Sequence, residues 1–318
     1  MDVLIIGLSS LVTRRVLPAL KTLSQVDRID VATRRGANLT TRKEWTHGHV
    51  YQDYADALKR TPAQLVYVSL VNSEHERWTQ AALEQGKHVV VDKPAFLGAK
   101  RAERMVELAA KHDLCLAEAT VFGYHPQLRI PRQMLADAGR STLRISMVLS
   151  FPPMDPGNFR YQAALGGGAL WDVGPYLVAT SRIFFGSEPV TVDCRVLGRS
   201  DTNVEIAFTA LGTFPGGGSL VGQFGFDTAY VNRLQLIDRT HIIEIDRAFT
   251  TPADYANTVR VTGADGPLSV DVAPADSFRC FFEHVLGQIA AHDPRGLAAD
   301  LLADSRLLER YRHAAGAA

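Results

Sequence analysis

The sequence predicts an α/β protein in which a doubly wound parallel sheet is followed by an α+β domain with a large, mostly antiparallel open sheet. Three observations predict it. Short β-branched runs alternate with helical patterns through residues 1–120, the pattern of a parallel sheet with right-handed crossovers. Beyond residue 142 long strands separated by Gly- and Pro-rich loops dominate. The 318 residues suit about two domains.

The elements follow in order. Residues 3–7 (Val-Leu-Ile-Ile-Gly) read as a buried strand, and Leu11, Val12, Val16, Leu17 and Leu20 form the apolar stripe of a helix. Residues 28–35 alternate into a second strand ending in Thr33-Arg34-Arg35. A helix is expected from about residue 41, and residues 50–54 are ambiguous. Residues 65–70 form another strand, 74–85 a helix that Gly86 stops, and 88–93 a strand. A helix over 100–111 and a strand over 114–119 complete a Rossmann-like domain.

In the second domain strands are expected over 143–151, 190–197, 204–214, 219–226, 233–245 and 259–262. Helices are expected over 127–138 and 169–185, and two more, over 276–291 and 296–313, end the chain. The division expected is 1–120, 121–292, and a C-terminal helix over 293–318 that packs back on the first domain.

Composition narrows the function. Thirty-four basic side chains balance thirty-four acidic ones, which removes the electrostatic reason to expect nucleic acid or an anionic membrane as partner. Cys115, Cys194 and Cys280 are odd in number and widely spaced; they suit a reducing compartment and form no metal pattern. The ten histidines contain no ligand cluster, so no metal is expected. The N-terminus lacks a basic region before its apolar run, and no apolar run nears the ~20 residues of a membrane span. A cytoplasmic protein is expected.

The stretch that organises the chain is His88-Val-Val-Val-Asp92-Lys93-Pro94. Three β-branched residues suit a strand buried on both faces, and the proline stops pairing. In an open parallel sheet this is the carboxyl edge, where ligands bind. Lys93 is a candidate for chemistry there; the alternative is a solvated lysine at a strand end.

The turn after the first strand, Gly7-Leu8-Ser9-Ser10-Leu11-Val12, keeps only the first glycine of a G-x-G-x-x-G phosphate turn. A serine still offers a hydroxyl and an N–H to a phosphate oxygen, and a helix N-terminus favours an anion. An ordinary β-turn-α connection explains the turn as well. At the second strand's end an NAD site carries an acid for the ribose 2′-hydroxyl. Here stand Thr33, Arg34 and Arg35, suited to pairing with a 2′-phosphate and so to NADP. Two exposed arginines before a loop are the alternative.

Together these stretches resemble the glucose–fructose oxidoreductase / inositol dehydrogenase (Gfo/Idh/MocA) family. The family's Glu-Lys-Pro is matched by Asp92-Lys93-Pro94, and its glycine-rich helix start by Gly166-Gly-Gly-Ala-Leu-Trp-Asp172-Val-Gly-Pro-Tyr176. Smaller matches are Leu70-Val-Asn72-Ser-Glu-His75 and Asn158-Phe-Arg160-Tyr161. Tyr176 stands where many members have histidine, which resembles the sugar-oxidising, dihydrodiol-dehydrogenase and nucleotide-sugar ketoreductase branches. The last branch is also similar at Arg14-Arg-Val-Leu-Pro-Ala19 and in a basic signature like Thr33-Arg34-Arg35. Ala179, where histidine-type members have a second Asp, argues against the inositol-dehydrogenase arrangement.

The resemblance implies an NADP-dependent oxidoreductase with Lys93 and Tyr176 as its proton-donating pair. Free tyrosine has a pKa of ~10, which a neighbouring ammonium lowers. Asp172, four residues before Tyr176, would share its helix face and orient substrate hydroxyls or hold Lys93; Pro175 would distort that first turn. Lys93, Arg160, Tyr161, Asp172 and Tyr176 are the expected substrate contacts. The cofactor contacts expected are Gly7, Leu8, Ser9, Ser10, Leu11, Thr33, Arg34, Arg35, Leu70, Asn72, His75, Asp92, Lys93 and Pro94. Packing roles compete for Tyr176, Asp172, Arg160, Tyr161 and His75. The implied activity is reduction of a keto sugar with NADPH, such as a nucleotide-linked 3-keto-6-deoxyhexose. The alternatives are an NADP-dependent sugar or dihydrodiol dehydrogenase and a cofactor-binding protein without turnover. The family's second-domain sheet commonly packs face to face, which implies a homodimer or homotetramer.

Overall fold

The computed structural model describes residues 1–34, 48–138 and 142–317. The described chain divides into two compact units, Met1–Ala119 with Phe278–Ser305 and Thr120–Ser277 with Arg306–Ala318.

The first unit carries a six-stranded parallel sheet in the order β3-β2-β1-β4-β5-β6. Its strands are β1 (Asp2–Ile6), β2 (Arg28–Ala32), β3 (Val50–Tyr51), β4 (Leu65–Val68), β5 (His88–Val91) and β6 (Leu116–Glu118). Val89–Val91 are fully buried, as a strand covered on both faces requires. The helices are α1 (Leu17–Lys21), preceded by a π-helical turn over Val12–Val16, α2 (Tyr54–Arg60), α3 (His75–Glu84) and α4 (Ala99–Lys111). Helix α2 answers the ambiguous stretch after residue 50. Its start is capped by Asp53, whose carboxylate accepts from the Ala55 and Asp56 N–H groups. The helix expected from about residue 41 lies outside the described residues.

The second unit is built on an eight-stranded sheet ordered β14-β13-β12-β11-β7-β10-β9-β8, antiparallel except for β7 with β10. Its strands are β7 (Arg144–Ser150), β8 (Thr191–Arg199), β9 (Glu205–Thr213), β10 (Ser219–Gly225), β11 (Val231–Ile237), β12 (Ile242–Asp246), β13 (Asn257–Gly263) and β14 (Gly266–Val272). Residues 233–245, expected as one strand, form a hairpin. Asp238 turns it by accepting from the Thr240 and His241 N–H groups. Strand β14 was not expected; only Val272 of its residues is buried, so it carries little of the apolar signal of a core strand.

Helices α5 (Arg129–Ala138), α6 (Ala169–Asp172) and α7 (Gly174–Phe185) belong to this unit. The single helix expected over 169–185 is two, broken at Val173. Pro175 fits the first turn of α7 without distortion, because the N–H it lacks has no helical partner there. The chain ends in α8 (Ser277–Ala290) and α9 (Arg295–Ala314). The expected boundary at 292 puts α8 in the second domain, whereas it belongs to the first unit, with Phe282 against Tyr67 at 5.6 Å. Leu301 of α9 joins the first unit's core, and Leu307, Leu308 and Tyr311 join the second's.

Candidate active site

Parallel register aligns the carboxyl ends of the first unit's central strands. Ile6 pairs with Ala32 and Val68, and Val68 with Val91. The next residue on each strand, Gly7, Thr33, Ser69 and Asp92, therefore lies in one row. Backbone bonds continue into it: Gly7 donates to Ala32 O, Ser69 to Ile6 O and Asp92 to Val68 O, at 2.8–3.0 Å. Gly7 has φ 93°, and a Cβ there would lie 2.1 Å from Ser69 O, so only glycine makes this turn.

A hydrogen-bonded chain runs along the row. Ser9 Oγ lies 2.9 Å from Ser69 Oγ, and Ser69 donates to Asp92 at 2.5 Å. Tyr67 OH donates to the other Asp92 oxygen. Ser9 also accepts from the Val12 N–H at 3.1 Å, capping the helical turn. The expectation that Ser9 offers its hydroxyl to a phosphate therefore meets a hydroxyl already committed to Ser69 and Val12. Burial pushes the Asp92 carboxyl above the usual carboxylate range, against the pull of the Ser69 and Tyr67 bonds and of His75 and Lys93. Burial and the Asp92 charge hold the Tyr67 phenol well above its ordinary value.

Of the expected cofactor contacts, His75 takes the packing role that competed for it, and the Asp92 carboxylate is engaged by Ser69 and Tyr67. The His75 ring is fully buried, with Nδ1 2.9 Å from Pro94 O and Nε2 3.1 Å from Leu70 O. Glu118 accepts from the Ala95 N–H at 2.7 Å. The backbone just after Lys93 is thus gripped at Pro94 and Ala95. Lys93 and Leu70 are half-buried, and Asn72 is buried in a 3₁₀ turn. Sequence reasoning missed Tyr67, Ser69 and Glu118. The available signal was a polar side chain late in or just past β4 and β6, the strands flanking β5.

Could this edge hold a dinucleotide? Leu8 is buried, whereas Ser10 and Leu11 are exposed beyond the Gly7 turn. Thr33 is buried, and exposed Arg34 lies over the Tyr54 ring at 4.6 Å and the Trp78 ring at 5.9 Å. Stacking uses the guanidinium face and leaves its N–H edge open to a phosphate. Arg35 lies outside the described residues. The tight glycine turn and the seated cation fit a phosphorylated dinucleotide.

In the second unit Tyr176 sits in the first turn of α7, half-buried, its ring against Phe122 at 5.5 Å and Phe249 at 5.7 Å. Arg160 stands in a 3₁₀ turn over Phe159–Tyr161 capped by Asn158, whose Oδ1 accepts from the Arg160 N–H. Its Nε lies 2.8 Å from an Asp172 carboxylate oxygen. Asp172, expected to orient substrate hydroxyls or hold Lys93, is an ion-pair partner of Arg160. Burial pulls the Arg160 pKa down, but the Asp172 charge and hydrogen bond and the neighbouring Tyr176 raise it above its ordinary value. Tyr161 accepts from the Met154 N–H at 3.1 Å and packs on Phe226 at 5.5 Å, which gives it a structural role. Arg312 supports the glycine loop, stacked 4.0 Å over Trp171 and paired with Glu205.

Residues 1–120 match the family described as "Oxidoreductase family, NAD-binding Rossmann fold", and residues 141–268 match the GFO/IDH/MocA C-terminal domain. The chain belongs to the GFO/IDH/MocA oxidoreductase family. Within this family it is 31% identical over 314 residues to a dTDP-3,4-didehydro-2,6-dideoxy-α-D-glucose 3-reductase of Actinomadura kijaniata, covering 97% of this chain and 93% of that one. A 3-ketoreductase from that organism, solved with NADP and TDP-benzene, superposes with a TM-score of 0.92 at 29% identity, covering 99% of this chain and 98% of the other. Further structures of that reductase carry a tyrosine replaced by phenylalanine, or a lysine replaced by glutamate or alanine. A D-xylose 1-dehydrogenase (NADP(+)) of Haloferax volcanii is 23% identical over 277 residues, covering 86% of this chain and 85% of its own. Among the described residues of this GFO/IDH/MocA protein, no helix is long and apolar enough to cross a membrane.

Proposed function

We propose that this chain is an NADPH-dependent reductase of a keto group on a nucleotide-linked sugar, with a 3-keto-6-deoxyhexose as the substrate class. The observation that carries the reading is the 31% identity, over 97% of the chain, to a dTDP-linked keto-sugar 3-reductase. The single glycine of the turn and the stacked Arg34 support a cofactor with a 2′-phosphate. Bound NADPH supplies the hydride.

The chain's own residues handle the proton. Reduction of a ketone leaves an oxygen that must be protonated, and Tyr176 donates its phenolic proton to it. The Arg160 guanidinium stabilises the phenolate left behind, and the family resemblance assigns Lys93 to the same proton-donating pair. Asp172 keeps Arg160 in position. His75 and Glu118 hold the backbone from which Lys93 projects, supported by the bonds at Pro94 and Ala95.

The D-xylose dehydrogenase relative favours a second reading, oxidation of a sugar with NADP⁺. One assay separates the two. NADPH consumption with a TDP-linked 3-keto sugar is expected, with little NADP⁺ reduction on free aldoses; the reverse result overturns the first reading. Tyr176→Phe is expected to slow reduction by about 10²–10⁴ with NADPH binding unchanged, and a rate within a few-fold of the parent would remove Tyr176 as the acid.

The reading includes a cytoplasmic protein, supported by Cys115, Cys194 and Cys280 forming no disulfide among the described residues. It also includes a homodimer or homotetramer through the second unit's sheet. The open sheet face supports this: Val221 and Leu211, cross-strand partners, are 45% and 42% exposed. A monomer by light scattering at micromolar concentration would remove the oligomer.

A further inference from the structure

Strands β7, β10 and β12 end, and β11 and β13 begin, at one end of the second unit's sheet. There the residues after β12 are held by three buried amides. Gln127 donates to Ala248 O at 3.0 Å and to Thr251 Oγ1 at 3.1 Å, and accepts from Asn257 at 2.7 Å. Asn232 accepts from the Phe249 N–H at 3.0 Å and donates to Thr250 Oγ1 at 2.7 Å. The residue these bonds present is Arg247.

Three features set Arg247 apart. Its backbone is left-handed, with φ 51°; the other non-glycine residues so placed among the described ones are Asp113, Asn203 and His292, types that tolerate the conformation. Strain of that kind persists where surrounding bonds over-determine it. Its guanidinium lies over two tyrosine rings, 5.5 Å from the Tyr230 centroid and 5.2 Å from that of Tyr255. No hydrogen bond or carboxylate partner engages it among the described residues, whereas Arg233 and Arg260 beside it share Asp246.

We infer that Arg247, Tyr230 and Tyr255 form the seat for the nucleoside diphosphate part of the substrate. This rests on the nucleotide-linked reading given above. Cation–π contact with the rings leaves the guanidinium N–H groups for a bidentate bond to phosphate oxygens. The tyrosines remain 45% and 38% exposed, surface on which a base can stack. A bare carboxylate would satisfy the guanidinium but leave that aromatic surface in water. The seat also adjoins the reacting end: Phe249, two residues on, packs against the Tyr176 ring. A sugar presented to Tyr176 thus trails its diphosphate toward Arg247.

The test is calorimetric titration of the whole protein with thymidine diphosphate, thymidine and NADPH, each alone. Arg247→Asn removes the cation while tolerating the left-handed backbone. It is expected to weaken thymidine diphosphate at least about tenfold, leaving thymidine and NADPH unchanged. Tyr255→Ala is expected to weaken both thymidine ligands several-fold. Arg247→Lys should fall between parent and Arg247→Asn, and it serves with Tyr255→Ala should Arg247→Asn fail to fold. Equal diphosphate affinity in parent and variants overturns the seat and leaves the reductase reading standing. A parent that binds NADPH but no thymidine diphosphate overturns both the seat and the nucleotide-linked substrate.

Discussion

Arg160 Nε and an Asp172 carboxylate oxygen lie 2.8 Å apart, the arginine side chain 28% exposed and the aspartate 8%. Arg160 comes from a 3₁₀ turn and Asp172 closes α6, and their pairing holds the Asn158–Tyr161 segment against the end of α6. Breaking one side of a buried pair costs more than the pair is worth, because the remaining charge stays desolvated.

Asp172→Ala is therefore expected to lower the unfolding free energy by about 2–3 kcal/mol, a buried-pair loss reduced for the part-exposed arginine. The double variant with Arg160→Ala should recover part of that loss. Urea denaturation of the three proteins checks it; additive single losses would mean the pair does not couple.

Tyr67→Phe removes one of the two hydroxyl donors to the buried Asp92 carboxylate. The expected cost is about 1–3 kcal/mol, that of a buried acceptor left unsatisfied. A melting temperature equal to the parent's would show that the Ser9–Ser69–Asp92–Tyr67 chain does not hold the strand ends.

Arg34→Ala takes the stacked cation from the edge of the first sheet. With charge-assisted bonds worth about 1.5–3 kcal/mol, NADPH affinity should fall roughly 10–100-fold and NADH affinity hardly at all. Fluorescence titration with both cofactors gives the ratio, and an equal loss for the two would place the 2′-phosphate elsewhere.

Stability should fall below neutral pH. Burial holds the His75 imidazole below its ordinary 6.5, so below that pH the unfolded chain takes a proton the native chain refuses. Stability is full above about 6.5 and is lost as pH drops toward the depressed native value. His88 is lowered for the same cause, and Asp92, raised by burial, works in the opposite sense. Comparison with His75→Gln isolates the one imidazole. A flatter pH dependence of the melting temperature between 7 and 5 is expected, and an unchanged one would contradict the assignment.

Much of this was legible in the residues. Val89–Val91 announced a strand covered on both faces, and polar Lys93 and Pro94 after it announced the sheet edge. The second unit was legible as long strands but not as paired ones. Val231–Ile237 buries its even-numbered positions and Ile242–Asp246 its odd-numbered ones, a change of phase across the turn that the Asp238 bonds make into a hairpin. His75 takes the packing role the sequence left open, and Asp92 turns to Tyr67 and Ser69, since position along a strand says nothing of what a side chain meets.

The linear order of residues by itself determined the fold class, the family and the edge where Gly7, Thr33, Asp92 and Lys93 align, because periodicity and turn chemistry act over a few neighbours. Tertiary structure alone decided the partners: Asp172 with Arg160, Asp92 with Tyr67, Arg247 over Tyr230 and Tyr255. Such pairs depend on which strands lie side by side, and burial sets what each charge there costs.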